Sequence, residues 1–172
     1  MLGMIPGNGH PWSWSAIVNG YDPEVMAAKC TYPGIIDYLG EQPLEEVGIP
    51  GARVTHLWTD DPSEAPPIAE ADYIDHVVDR PEDVIGEVDA VIISTDDGSD
   101  HVRRARPFVE AGLPVFVDKP MADNLGDLAW FLAARCRGDR IQSSSAMRYA
   151  SEIRDLRGRL DSLGRLRWIS SF

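Results

Sequence analysis

The sequence predicts an α/β fold built on a doubly wound parallel sheet. Three observations carry this. Short runs rich in Val and Ile recur along the chain, clearest at Val91-Ile92-Ile93 and Val115-Phe116-Val117. These runs are continuously apolar rather than alternating, as strands covered on both faces are. Helix-sized segments separate them, and strand alternating with helix implies parallel strands joined by right-handed crossovers.

In chain order, strands are expected at residues 2–5, 53–58, 75–78, 90–94, 114–117 and 141–144. The first is followed at once by the glycine-bearing stretch Gly7-Asn8-Gly9-His10-Pro11-Trp12 and then a helix. Residues 20–51 are long for one crossover and carry Pro23, Pro33, Pro43 and Pro50. Helices are expected there over 23–29 and 35–39. After the fourth strand, Ser99 or Asp100 can cap a helix running through Val102, Ala105 and Val109. Gly112 ends it, Pro114 blocks its continuation, and Pro107 should kink or break it. Asp123 can cap the next helix, with Leu125, Leu128, Ala129 and Leu132 at i, i+3, i+4 and i+7. Ser151 can cap the last, with Ile153, Leu156, Leu160 and Leu163 on one face and Gly164 at its end. Residues 165–172 have strand character, and a single strand is not stable alone. They read as the first strand of a second α/β domain. The expected division is therefore 1–145 for the sheet domain and 146–172 for a linker helix with that first strand.

Composition narrows the function classes. The chain has 172 residues, 44% hydrophobic, with a formal net charge of −12. That apolar content argues against disorder, and that charge repels nucleic acid. A small anionic cofactor can still bind through backbone N–H groups and a helix dipole. The two cysteines, Cys30 and Cys136, form no CxxC pair and no zinc spacing; reduced thiols and no metal site are expected. There is no apolar window long enough for a membrane span, and the opening Met1-Leu2-Gly3-Met4-Ile5 does not read as a secretion signal. A cytoplasmic protein is expected.

Four positions can carry chemistry. All lie where the carboxyl ends of the strands open on a crevice, the ligand edge of such sheets. In the first turn, Gly7, Asn8, Gly9 and His10 stand where a tight bend lets the backbone approach a pyrophosphate. Gly7 and Gly9 fit the first two glycines of a GxGxxG pattern; the third position is Trp12. At the end of the second strand, Asp60 can accept hydrogen bonds from adenosine ribose hydroxyls. The absence of an adjacent Arg there favours NAD, with NADP as the alternative. At the end of the fourth strand, Thr95 and Asp96 sit at the crevice, and His101, just inside the next helix, can reach it. At the end of the fifth, Asp118-Lys119-Pro120 projects a lysine into the crevice. A partly desolvated ammonium can hydrogen-bond a substrate hydroxyl and take part in proton transfer. Pro120 suits a tight turn, cis included.

These residues in this order resemble the Gfo/Idh/MocA oxidoreductases, the glucose-fructose oxidoreductase and inositol dehydrogenase family. The resemblance covers most of the chain. Gly7–Gly9, Asp89-Ala90-Val91-Ile92-Ile93-Ser94-Thr95, His101 with Ala111-Gly112-Leu113-Pro114, and above all Asp118-Lys119-Pro120, where the family usually has Glu-Lys-Pro, carry it. Met147-Arg148-Tyr149 looks like the Arg-aromatic segment that follows the sixth strand in that family, which implies that Arg148 contacts the cofactor. The resemblance further implies a Rossmann fold and Lys119 as the active-site lysine. It places Asp118 and Pro120 beside the nicotinamide, with reaction at a hydroxyl or carbonyl carbon of a sugar or polyol. Family members continue into a second α/β domain that supplies a catalytic His, most of the substrate pocket and the oligomer interface. A homo-oligomer or a partner chain, joined through that sheet, is the corresponding expectation.

Two other classes fit less well. A non-catalytic subunit that kept the fold accommodates the odd glycine turn. A phosphoacceptor receiver domain also has an acidic pair and a Lys-Pro. Its order differs, however, since here Asp60-Asp61 follow the second strand and the first ends in glycines.

Overall fold

The structure, a computed structural model, describes residues 1–165, 167, 168 and 170. Its strands are short and all parallel. β1 (His56–Leu57) pairs with β2 (His76–Val77), and β3 (Val91–Ile93), β4 (Val115–Val117) and β5 (Ile141–Gln142) form a second ladder in that order. Leu2 joins the two ladders, with parallel bridges to Trp58 on one side and Ile93 on the other. Its neighbours complete the seam: the Leu2 N–H donates to Ile92 O at 2.8 Å and the Gly3 N–H to Trp58 O at 2.8 Å. The spatial order is β2, β1, the Leu2 segment, β3, β4, β5. The chain thus winds outward twice from its own first residues, and the order reverses between the Leu2 segment and β3. That is the switch point of a doubly wound sheet.

The first expected strand, 2–5, is reduced to this bridge, and Gly3 is the reason. Its φ is +98°, which breaks the pleat. Leu2 packs with Val91, Ile93 and Val115, while Met4, only two residues on, packs with Trp12, Leu57 and Ile68 on the opposite side. The Met4 N–H goes to the Asp60 carboxylate at 3.0 Å instead of to a strand. The other five strands are present but trimmed by one to four residues.

Helices cover both faces. α1 (His10–Asn19), α2 (Pro23–Lys29), α3 (Pro33–Gly40) and α4 (Ala65–Ala71) share one core with Leu57. α5 (His101–Glu110) and α6 (Leu125–Arg137) share the other, through Ala105, Phe108, Phe131 and Ala134. α7 (Ser151–Arg159) follows β5. The helix expected at 23–29 is α2, and 35–39 lies within α3.

Several expectations are corrected. α5 runs through Pro107 without a break. The carbonyl left without a donor is that of Arg103, whose side of the helix is exposed, so water can take it. The cap of α6 is Asn124, whose side chain accepts from the Asp127 N–H, not Asp123. The stripe Leu125, Leu128, Leu132 faces solvent, and Phe131 and Ala134 make the core contact instead. α7 likewise exposes Ile153 and Leu156, and the helix expected to continue gives way to a 3₁₀ turn, Leu160–Leu163, whose Leu160 and Leu163 are exposed as well. α4 had no signal beyond its paired prolines, Pro66 and Pro67. The strand expected at 165–172 includes Leu166, Ile169, Ser171 and Phe172, which lie outside the described residues.

Candidate cofactor and active site

The turn from the Leu2 segment into α1 is held by its own side chain. Asn8 is buried, and its Oδ1 accepts from the His10 N–H at 2.8 Å. Pro11 has no N–H, and those of Trp12 and Ser13 both reach Gly9 O. α1 therefore offers fewer free N–H groups at its start than the sequence suggests. Gly9 is required by packing: a Cβ there would stand 2.6 Å from Ile35 Cδ1 and 2.9 Å from Tyr32 Cγ. The long crossover thus folds back against the glycine turn. Burial, then the Glu64 charge, pushes the Tyr32 phenol pKa up, and the Gly7 backbone opposes this. Gly7 itself has open space where a Cβ would sit, so the outer side of the turn can be approached.

At the end of β1, Asp60 accepts from three donors. These are the Met4 N–H, and Nη1 and Nη2 of Arg104 at 3.1 and 2.7 Å. Arg104 comes from α5, 44 residues away in sequence. No Arg is adjacent to Asp60 in the chain, but one is adjacent in space, and sequence spacing carried no signal for it. The lack of an arginine next to Asp60 in the chain therefore does not by itself favour NAD. The Asp60 carboxylate keeps 31% of its exposure and has acceptor capacity left.

At the end of β3, Thr95 is buried and its Oγ1 has no partner, while Asp96 is exposed. His101 is fully buried rather than reaching into the crevice. Its ring lies 2.8 Å from Thr95 O through Nε2 and 3.0 Å from Pro120 O through Nδ1. It braces the β3 turn to the β4 turn from behind. That corrects its expected place among the cofactor contacts.

At the end of β4, Asp118 is 1% exposed and Lys119 49%. The Lys119-Pro120 peptide is cis. Asp118 Oδ2 lies 2.8 Å from His10 Nδ1 and 3.7 Å from Lys119 Nζ. The His10 contact lacks hydrogen-bond alignment. The His10 ring stacks on Trp14 at 4.5 Å, and Trp14 meets Phe116 edge-on. The first turn is thus tied to the fourth strand. His10 faces Asp118, an association that no motif marks. Arg148 lies in a 3₁₀ turn, Ala146–Tyr149, and is exposed. Among the described residues no hydrogen bond or ion pair joins its side chain to another candidate residue.

Gly7–Gly9, Asp60, Thr95–Asp96 and Lys119 therefore converge at one edge, with an open turn, a carboxylate and a half-exposed ammonium. That donor set fits an extended dinucleotide with its phosphates at the turn.

Residues 36–141 match the family model Gfo/Idh/MocA, described as an oxidoreductase family with an NAD-binding Rossmann fold. Among solved structures, scyllo-inositol dehydrogenase from Lactobacillus casei with bound NAD(H) and scyllo-inositol is 19% identical, with a TM-score of 0.59 over 66% of this chain and 34% of its own. Myo-inositol 2-dehydrogenase from Lactobacillus plantarum gives the same four figures. An oxidoreductase from Agrobacterium radiobacter, in complex with NAD+, L-tartaric acid and magnesium, is 18% identical, with a TM-score of 0.60 over 66% and 34%. These likenesses show the Rossmann fold. The chain spans about a third of the length of these structures. No curated protein matches it.

Proposed function

The chain belongs to the Gfo/Idh/MocA oxidoreductase family, and from that premise we propose that it forms the cofactor half of an enzyme acting on a hydroxyl or carbonyl carbon. The substrate is a sugar, polyol or similar small molecule. One observation carries this reading: Gly7–Gly9, Asp60 and Lys119 meet at the carboxyl ends of the strands on either side of the switch point, where such sheets bind ligands. Scyllo-inositol and L-tartaric acid in the similar structures both carry hydroxyl-bearing carbons, which supports the substrate class.

Gly7, Asn8 and Gly9 would hold the phosphates, Asp60 the adenosine ribose, and Thr95, Asp96, Asp118 and Pro120 the remaining wall, with NAD as the cofactor. The bound dinucleotide supplies a hydride acceptor or donor. Lys119 Nζ hydrogen-bonds the substrate oxygen and holds or releases its proton. Asp118, 3.7 Å from Lys119 Nζ, directs the ammonium, and His10 packs against Asp118 in turn. α7 would lead to a second domain, and its exposed apolar residues Ile153 and Leu156 support this. That domain would complete the substrate pocket and the assembly contact. Unpaired Cys30 and Cys136 fit a reducing compartment, the cytoplasm, and among the described residues no helix is long and apolar enough to cross a membrane.

Titration with NADH, NADPH and their oxidised forms, followed by nucleotide fluorescence and calorimetry, tests the reading. Saturable binding below millimolar concentration is expected for at least one form. Binding of none at millimolar concentration overturns it. A second reading, a non-catalytic subunit with the same fold, draws on the depleted N–H groups of α1. Binding without turnover when the second domain is present would favour it.

A further inference from the structure

We propose that Asp60 and Arg104 together form a charge-saturated latch that selects the unphosphorylated adenosine ribose, NAD(H) over NADP(H), and that Arg104 is a dormant phosphate-binding cation held off by Asp60. The inference rests on the cofactor reading above and deepens it.

An arginine beside the ribose-binding carboxylate ordinarily signals a 2′-phosphate. Here three of the five guanidinium N–H groups are already engaged by carboxylates. Nη1 and Nη2 donate to Asp60, and Nε donates to Asp100 Oδ2 at 2.7 Å. The side chain is only 9% exposed, and its Cζ lies 5.9 Å from the Trp58 ring centroid. Asp100 Oδ2 also accepts from Arg103 at 2.8 Å. Burial works against the Arg104 charge, yet the hydrogen bonds from Asp60 and Asp100 outweigh it and raise its pKa. The guanidinium stays charged and locked.

The surroundings are anionic as well. Asp61 and Asp97 each receive two hydrogen bonds from a serine, Ser63 and Ser99, which hold both carboxyls below their ordinary range. Asp97 is close enough to feel the Arg104 charge. Three carboxylates, of Asp60, Asp97 and Asp100, lie around two guanidiniums, of Arg103 and Arg104, so the cluster carries a net −1, and Asp61 adds a further negative charge beside Asp60 in the chain. A ribose diol needs only an acceptor, which the part-exposed Asp60 supplies. A phosphate dianion would meet repulsion from those carboxylates and would have to compete with Asp60 for the Arg104 guanidinium.

Gly3 permits the arrangement. A Cβ there would stand 3.2 Å from Arg104 Nη1 and 2.8 Å from Thr95 Cγ2. The bare backbone at the head of the sheet lets an α5 side chain cross over to the end of β1.

The test is direct binding of NADH and NADPH to the wild-type protein, Asp60→Asn, Arg104→Leu and the double variant, with circular dichroism to compare folding. The wild type is expected to prefer NADH by roughly 10- to 100-fold, the scale of one or two charge-assisted hydrogen bonds lost and a like charge met. Asp60→Asn removes the repelling charge and leaves Arg104 cationic, so the NADPH affinity should rise about tenfold while NADH weakens. In the double variant the NADPH gain should vanish. Arg104→Leu alone should weaken NADH a few-fold, by loosening Asp60, and should not improve NADPH. Asn at 60 keeps an acceptor for the Met4 N–H, so the fold is expected to hold. If Asp60→Asn does not fold, Arg104→Leu decides, because improved NADPH binding there overturns the latch. A wild type that binds both forms equally, or prefers NADPH, overturns it, as does an unchanged ratio in Asp60→Asn. Binding of neither form by any variant overturns the cofactor reading itself and the latch with it.

Discussion

Asp72 predicts an inverted pH dependence of stability. It caps the C-terminus of α4, is fully buried, and neither carboxyl oxygen has a hydrogen-bond partner. Burial raises its pKa from 3.8 to about 8, so the folded protein keeps the acid protonated at neutral pH while the unfolded chain ionises it. The folded pKa exceeds the unfolded one. Stability from this group is therefore full below pH 4 and is lost as pH rises toward 8. Each unit is worth about 1.36 kcal/mol, so between pH 5 and pH 8 the loss is roughly 3–4 kcal/mol. That is a large part of the roughly 5–15 kcal/mol that holds a domain together. Asp72→Asn removes the ionisation and changes little else in size. Urea denaturation across that range should show the variant gaining on the wild type by those 3–4 kcal/mol, or roughly 10 °C in Tm at the upper end. The difference between the two curves matters, since carboxylates such as Asp61 and Asp97, held low by serine hydrogen bonds, slope the other way in both proteins. Parallel curves, with a gap changing by less than about 1 kcal/mol, would refute the assignment.

Gly9→Ala should cost about 1–3 kcal/mol by driving a methyl into Ile35 and Tyr32, and chemical denaturation reads it directly; a neutral result would mean that the long crossover does not pack on the turn. His101→Leu should cost roughly 1–3 kcal/mol, because it removes the buried ring that lies between the Thr95 and Pro120 carbonyls and donates its N–H there, and a thermal melt reports it. Lys119→Ala should leave the NADH affinity within about threefold and lower kcat roughly 100-fold or more in the enzyme with its second domain, the usual share of a positioned acid or base; a large loss of NADH affinity would place the lysine elsewhere. Thiol labelling should be fast at exposed Cys136 and slow at Cys30, which burial shields and whose pKa burial raises; equal rates would contradict the packing of Cys30 against Met26 and its neighbours.

The fold was legible because its signals are local. Val91-Ile92-Ile93 and Val115-Phe116-Val117 show as strands in their own residues, and a glycine ending such as Gly112 stops a helix by backbone geometry. What misled was local pattern judged without its partner. The Leu125, Leu128, Leu132 stripe has the helical period, but the sheet is met by Phe131 and Ala134, one step round the helix. The 2–5 run is apolar enough for a strand, yet one φ of +98° at Gly3 turns its two halves to opposite faces.

The site divides along the same line. Lys119 and the glycine turn announce themselves by residue type at a strand's carboxyl end. The residues that hold them do not, since His10 meets Asp118 across 108 positions and Arg104 meets Asp60 across 44. Such contacts leave no spacing to read, because the doubly wound order brings together turns that the chain keeps apart. At each turn a buried or saturated group fixes an exposed one: His10 and Asp118 behind Lys119, Arg104 behind Asp60, His101 behind Thr95 and Pro120. The exposed residue states what chemistry is available, and the group behind it sets charge and direction. On the proposed reading Asp60 would hold the ribose, while Arg104 and Asp100, which no motif marks, would decide which ribose is held.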